Sequence, residues 1–184
     1  MRKLIVWNLV TLDGYFEGKQ KWELDWHNVV WDPELEKFSD DQSQSVGTLI
    51  FGRATYEGMA SYWSNATGKT AEFMNAVPKI VCSRSLSRAE WNNTTIISDR
   101  VPDAIGELKK QKGKDLYIFG SGNLCSSLFE AGLIDEVRLG LTPTVFGGGT
   151  PLFAPSNGGL KMTLLESRPF KSGCVILRYK PDYT

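Results

Sequence analysis

Lys3 to Leu9 is an almost unbroken apolar run. A short continuous run of this kind suits a central strand covered on both faces, and it leads into a turn signal at Asp13-Gly14. Tyr15 to Asp32 has no clear period but contains Trp22, Trp26 and Trp31. Asp32-Pro33 then opens a helix, with aspartate as N-cap and proline at the first helical position. Its spacing continues through Leu35 and Phe38 towards Val46. Thr48 to Phe51 reads as a second strand, ended by Gly52, and Arg53 to Glu57 begins another helical stretch. Helical propensity returns near Thr70 to Asn75. Lys79 to Cys82 and Thr95 to Ser98 are predicted strands, and Pro102 to Lys112 a helix with Ile105 and Leu108 inward.

A denser pattern occupies Asp115 to Phe153. The apolar run Leu116 to Phe119 breaks at Gly120-Ser121-Gly122, and Leu124, Leu128 and Phe129 are spaced for one helical face. Gly132 stands where that helix would stop. Val137, Leu139 and Leu141 then alternate with Arg138, Gly140 and Thr142, as in a strand. Finally, Leu160 to Arg168 and Cys174 to Lys180 form a predicted hairpin around Lys171-Ser172-Gly173. Strands alternate with helices up to about Phe129 and then strands take over. This predicts an α/β fold with a mixed, mostly parallel central sheet and a C-terminal antiparallel hairpin, with residues 1–184 as a single domain.

Charge narrows the function classes. The chain has 21 basic and 21 acidic residues, which argues against a broad nucleic-acid surface but not against a small anion pocket. No apolar run is long enough to span a membrane. Cys82, Cys125 and Cys174 are far apart and form no metal spacing, so reduced thiols and a cytoplasmic location are the expectation. His27 is the only histidine; a metal site on it lacks partners, and no G-x-S-x-G elbow supports a hydrolase.

Open α/β sheets bind ligands beyond the carboxyl ends of their strands. Three such ends carry suggestive residues. Arg53, after Gly52, falls in a first helical turn, where a cation opposes the helix dipole by about 0.3–1 kcal/mol unless an anion lies between. The alternative is an exposed arginine paired with a nearby carboxylate. Ser83-Arg84-Ser85 offers two hydroxyls and a guanidinium to a phosphate, or is an ordinary polar loop. Gly120-Ser121-Gly122 could cradle a pyrophosphate at a helix N-terminus, or is a tight turn; it lacks the usual dinucleotide fingerprint. Gly147-Gly148-Gly149 marks a close backbone approach or a loop. The tryptophans between Trp22 and Trp31 are candidates for a wall over a flat heterocycle, or for core.

Taken in order, these pieces resemble the dihydrofolate reductase superfamily, and most of all the branch with the C-terminal reductase domain of the bifunctional riboflavin-pathway deaminase–reductase. The matching stretches are LDGYFEG from Leu12, FGRATYEGM from Phe51, KIVCSRSL from Lys79, LYIFGSGNL from Leu116 and GLIDEVRLGLTPTVFGGGTPLF from Gly132. The resemblance implies a three-layer fold, a homodimer and an NADPH-dependent reductase of a small heterocycle, such as 5-amino-6-(5-phosphoribosylamino)uracil or a dihydrofolate-like pterin. It puts Gly52, Arg53 and Thr55 at a helix start facing the cofactor, Ser83 and Arg84 at the adenosine 2′-phosphate, and Gly120, Ser121, Gly122, Asn123 and Leu124 at the pyrophosphate and nicotinamide end. It implies a catalytic carboxylate at Glu34 or Asp32, and a substrate pocket with Trp7, Asn8, Asp13 and Trp31. Two positions depart from the riboflavin pattern: Tyr15 replaces the usual lysine, and Gly120 a usual glutamate. A non-catalytic nucleotide- or ligand-binding protein on the same fold is the alternative.

Overall fold

The computed structural model describes residues 1–153 and 159–183. Its strands are β1 (Leu4–Val10), β2 (Tyr15–Glu17), β3 (Val46–Gly52), β4 (Lys79–Cys82), β5 (Thr94–Ile97), β6 (Asp115–Phe119), β7 (Glu136–Leu141), β8 (Thr150–Pro151), β9 (Met162–Pro169) and β10 (Val175–Pro181). The helices are α1 (Pro33–Ser43), α2 (Arg53–Trp63), α3 (Lys69–Ala76), α4 (Val101–Lys110) and α5 (Gly122–Glu130). One eight-stranded sheet runs β5-β4-β3-β6-β1-β7-β10-β9, and β2 pairs with β8 separately. Every pairing from β5 across to β7 is parallel; β10 is antiparallel to both β7 and β9. The mixed sheet with a closing hairpin is therefore as the apolar pattern predicts, with boundaries shifted by a residue or two.

The central strands are buried on both faces, which is why they read as continuous apolar runs. Ile5, Trp7 and Leu9 of β1, Leu49 and Phe51 of β3, and Tyr117 of β6 join one core cluster with Leu35 of α1, Tyr56 of α2 and Met74 of α3. Leu4, Val6, Ile50, Leu116 and Ile118 point the other way, to Ile105 of α4 and Leu128 of α5. Helices thus cover both sides of the sheet in three layers.

Local signals act as read. Asp32 caps α1, accepting from the Leu35 amide at 2.8 Å. Gly132 ends α5 with φ +66°, its amide bonding Phe129 O while that of Leu133 bonds Leu128 O, each at 3.0 Å. The β2–β8 pairing was not visible in the sequence. Gly149 permits it: a β-carbon there would lie 2.4 Å from Glu17 O.

One buried charge cluster ties the hairpin to the parallel sheet. Glu136 of β7 accepts from Arg138 Nε at 2.6 Å and Arg178 Nε at 2.7 Å. Burial alone would raise its pKa, but the two guanidinium hydrogen bonds outweigh it and hold the carboxyl down at about 2.

Candidate active site

At the carboxyl ends of β3 and β6 the chain turns directly into α2 and α5, so two helix N-termini stand side by side. Ser121 joins them. Its Oγ accepts from the Gly52 amide at 2.7 Å and lies 2.8 Å from Thr55 Oγ1. That placement depends on two consecutive left-handed residues, Gly120 at φ +67° and Ser121 at φ +63°. Thr55 fills the space a side chain at position 120 would need, since a β-carbon there would lie 3.0 Å from Thr55 Cγ2. A side chain at position 120 would therefore need both a left-handed backbone and a shift of Thr55. Neither helix start has a side-chain cap. The free amides of the first turns and the helix dipoles therefore favour an anion between them.

Asn8 of β1 forms the floor. Its Oδ1 accepts from the Gly120 amide at 2.7 Å, which fixes the orientation of the amide group. Nδ2 is consequently a buried donor with no partner among the described residues. A buried unpaired donor costs about 1–3 kcal/mol, and a ligand acceptor would recover that.

The cleft above this floor has a volume of about 640 Å³. Gly120, Ser121, Gly122, Asn123 and Leu124 line it from α5 and its turn, and Gly52, Arg53 and Thr55 from α2. Trp7, Asn8 and Trp31 line it from the other side. It opens into a second compartment of about 1070 Å³ between α1, α2 and α3. Trp7, Trp22, Trp31, Met59 and Phe119 border both spaces. Of the tryptophan stretch, Trp22 and Trp31 are wall, whereas Trp26 is core.

Arg53 combines both of its sequence readings. Nε pairs with Glu57 at 2.6 Å, while Nη1 reaches Ser85 Oγ at 2.7 Å and bridges to the loop after β4. Ser83 itself is buried and accepts from the Leu86 amide at 3.1 Å, so its hydroxyl shapes that loop. Arg84 is exposed, outside the cleft lining, and makes no ion pair among the described residues. The loop's contribution to the cleft thus runs through Ser85 and Arg53.

Three further expected residues, besides Ser83 and Arg84, are absent from the cleft lining. Asp13 is not part of the cleft lining: its carboxylate accepts from the Thr11 hydroxyl at 2.6 Å and the Gly147 amide at 2.7 Å. The Thr11 hydrogen bond leads in lowering its pKa. The Asp32 carboxylate is committed to capping α1, and Glu34 lies beside Lys171 of the hairpin turn. Neither lines the cleft or the second compartment. The reason is helical geometry: the first turn of α1 faces the hairpin, while Ser39, Asp40 and Ser43, later on the helix, reach the second compartment.

Two features escaped the sequence reading. His27 lines both spaces, with Nε2 buried and unpartnered among the described residues. Burial lowers its pKa to about 4, so the ring is neutral near pH 7. The other is the apolar stripe Met59, Tyr62 and Trp63 of α2, which lines the second compartment. Its i, i+3, i+4 spacing was a usable signal. The thiols are inert: burial pushes Cys82 and Cys125 up to about 12 and Cys174 to about 11.

Known proteins carry the same architecture. The chain is 31% identical to the uncharacterized protein YyaP of Bacillus subtilis (strain 168) over 183 residues, covering 97% of this chain and 94% of that one. A putative riboflavin biosynthesis protein from Shewanella sp. PV-4 superposes with a TM-score of 0.82 at 22% identity, over 98% of this chain and 99% of the other. Dihydrofolate reductase from Enterococcus faecalis, solved with NADP(H), superposes with a TM-score of 0.67 at 18% identity, over 98% and 97% of the two chains. The fold is dihydrofolate reductase-like. Residues 2–176 match the RibD C-terminal domain model, and the chain belongs to that family.

Proposed function

We propose that this protein is an NADPH-dependent reductase of a small heterocycle. The observation that carries this reading is the Ser121 junction, where two uncapped helix N-termini meet over one cleft. The residues fit a dinucleotide. The first-turn amides of α2 and α5 suit its pyrophosphate, and the Asn8 Nδ2 donor suits a carboxamide or ring carbonyl at the floor. Arg53 and Lys21, both on the cleft lining, suit the extra phosphate that separates NADPH from NADH. When bound, the cofactor supplies a hydride. The protein's part is positioning: Gly120 and Asn8 set the floor, and Trp22 and Trp31 hold a flat ring against it. With Asp32 and Glu34 outside both cleft linings, solvent water supplies the proton.

Titration with NADPH and NADH, read by tryptophan fluorescence, tests the reading. Tighter binding of NADPH is expected, and Arg53→Ala should weaken it roughly tenfold or more while leaving NADH nearly unchanged, the scale of a charge-assisted hydrogen bond. Equal binding of both cofactors, or of neither, rejects it. The absence of Asp32 and Glu34 from both cleft linings favours one other reading, a ligand-binding protein without turnover. NADPH binding with no oxidation in the presence of dihydropteridines or aminouracils would select it.

A further inference from the structure

The second compartment is large, aromatic and poor in free positive charge. Trp7, Trp22, Trp31, Trp63, Phe73 and Phe119 are among its walls. Its acidic and basic side chains are Asp25, Asp40, Lys69 and His27, with the Tyr62 phenol beside them. Lys69 is paired with Asp40, and that hydrogen bond leads in raising the lysine's pKa. Asp25 has no compensating cation in the wall. His27 stays neutral. The wall therefore carries two carboxylates against one ammonium, and no arginine borders it. Residues 154–158 contain neither lysine nor arginine. A phosphate monoester carries between one and two negative charges near pH 7 and is held by cations, ideally bidentate arginine. In this compartment it would meet aromatic rings and net negative charge.

We propose that the second compartment takes a planar heterocycle that bears no phosphate. This rests on the reductase reading above, in which the glycine-lined side holds the cofactor. It separates this chain from a reductase of phosphoribosylated pyrimidines, although the chain shares that family. The two sides of the cleft divide the charge: Arg53 and Lys21 border the glycine-lined side, whereas the aromatic side has only the paired Lys69. Flat rings bind such walls by stacking and by replacing water on apolar surface, and each aromatic contact is favoured without any charge on the ligand. Asp25 and the Asp40–Lys69 pair favour a neutral or weakly basic ring.

The test uses the full chain saturated with NADP⁺, so that phosphate binding on the cofactor side is blocked. Two matched pairs are titrated by calorimetry: a phosphoribosylamino-uracil with its phosphate-free ribosyl counterpart, and riboflavin 5′-phosphate with riboflavin. The phosphate-free member should bind at least about tenfold more tightly in the pair that fits, a difference of about 1.4 kcal/mol. Asp40→Asn leaves Lys69 unpaired and should narrow that ratio by strengthening the phosphorylated member. Equal or tighter binding of the phosphorylated member by the unmodified protein overturns the proposal, as does failure of both phosphate-free rings to bind. The preliminary NADP⁺ titration judges the reductase reading separately. Should it fail, the pairs are compared on the free protein, where the same ratio decides the substrate class.

Discussion

On the glycine-lined side of the cleft, polar atoms are committed to one another. Ser121 Oγ holds the Gly52 amide and Asn8 Oδ1 holds the Gly120 amide, so the backbone of three neighbouring strands is locked at hydrogen-bond precision. On the aromatic side the polar contacts join side chains rather than strand backbones: Trp63 Nε1 donates to Met59 Sδ at 3.3 Å, and Lys69 pairs with Asp40. Trp22 makes its main-chain hydrogen bond to Glu17, but its ring simply lies over Gly58, and Trp31 is half exposed. The first side suits a ligand of fixed shape that must sit in one register. The second suits ligands of variable outline, held by area. The same cleft thus combines a rigid end with an adaptable one, and each variant below acts mainly on one of them.

The largest effect is expected at the rigid end. Gly120→Val puts a β-branched residue at φ +67° and against Thr55, so it should cost about 3 kcal/mol. Urea denaturation should show the loss, and NADPH affinity should fall by more than tenfold because Ser121 loses its position. An unchanged denaturation midpoint would mean the turn is not constrained.

Next is a pH effect at the boundary between the two ends. The folded pKa of His27 is about 4, below its ordinary 6.5. The unfolded chain therefore takes up a proton that the folded chain does not as pH falls from 6.5 to about 4. Stability should drop across that window, by less than about 1.4 kcal/mol per pH unit. His27→Gln should flatten this part of the stability profile; an identical slope in the variant would show that His27 titrates normally.

At the adaptable end, effects should be smaller and confined to the heterocycle. Trp31→Ala and Trp22→Ala should each weaken heterocycle binding by about 0.5–1.5 kcal/mol, a factor of roughly two to ten, with NADPH affinity nearly intact. A loss confined to NADPH would reverse the assignment of the two sides. Gly58→Ala is the mildest probe. A β-carbon there would lie 1.8 Å from the Trp22 ring, so the ring must move. Alanine also favours the helix interior by roughly 0.5–1 kcal/mol. Stability should change little, while Trp22 emission shifts and the heterocycle KM rises a few-fold.

The comparison also separates what was legible from what was not. The Gly52-Arg53 and Gly120-Ser121-Gly122 junctions were legible because each is a contiguous strand–turn–helix segment, and glycine marks close backbone approach locally. The Asp-Pro pair marks Asp32 as the α1 cap, but nothing local places its carboxylate outside both cleft linings. Its carboxylate already has a backbone partner, and the first turn of α1 faces the hairpin. Asp13 misled for another reason: its partners Phe146 and Gly147 lie far along the chain, and nothing local announces them.

By itself, the sequence determined the strand and helix order, the mixed sheet with its closing hairpin, the cap and stop of individual helices, and the glycine turns at the ends of β3 and β6. These depend on periodicity and on backbone preferences within a few residues. Only the tertiary structure decided that Ser121 joins two helix starts, that the Asp13 carboxylate is taken up by a distant loop while Asp32 stays outside the cleft lining, that His27 enters the cleft wall, and that Lys69 is neutralised by Asp40. Each of those outcomes turns on which side chains from distant segments meet and whether burial leaves them a partner, and neither is written in the local pattern.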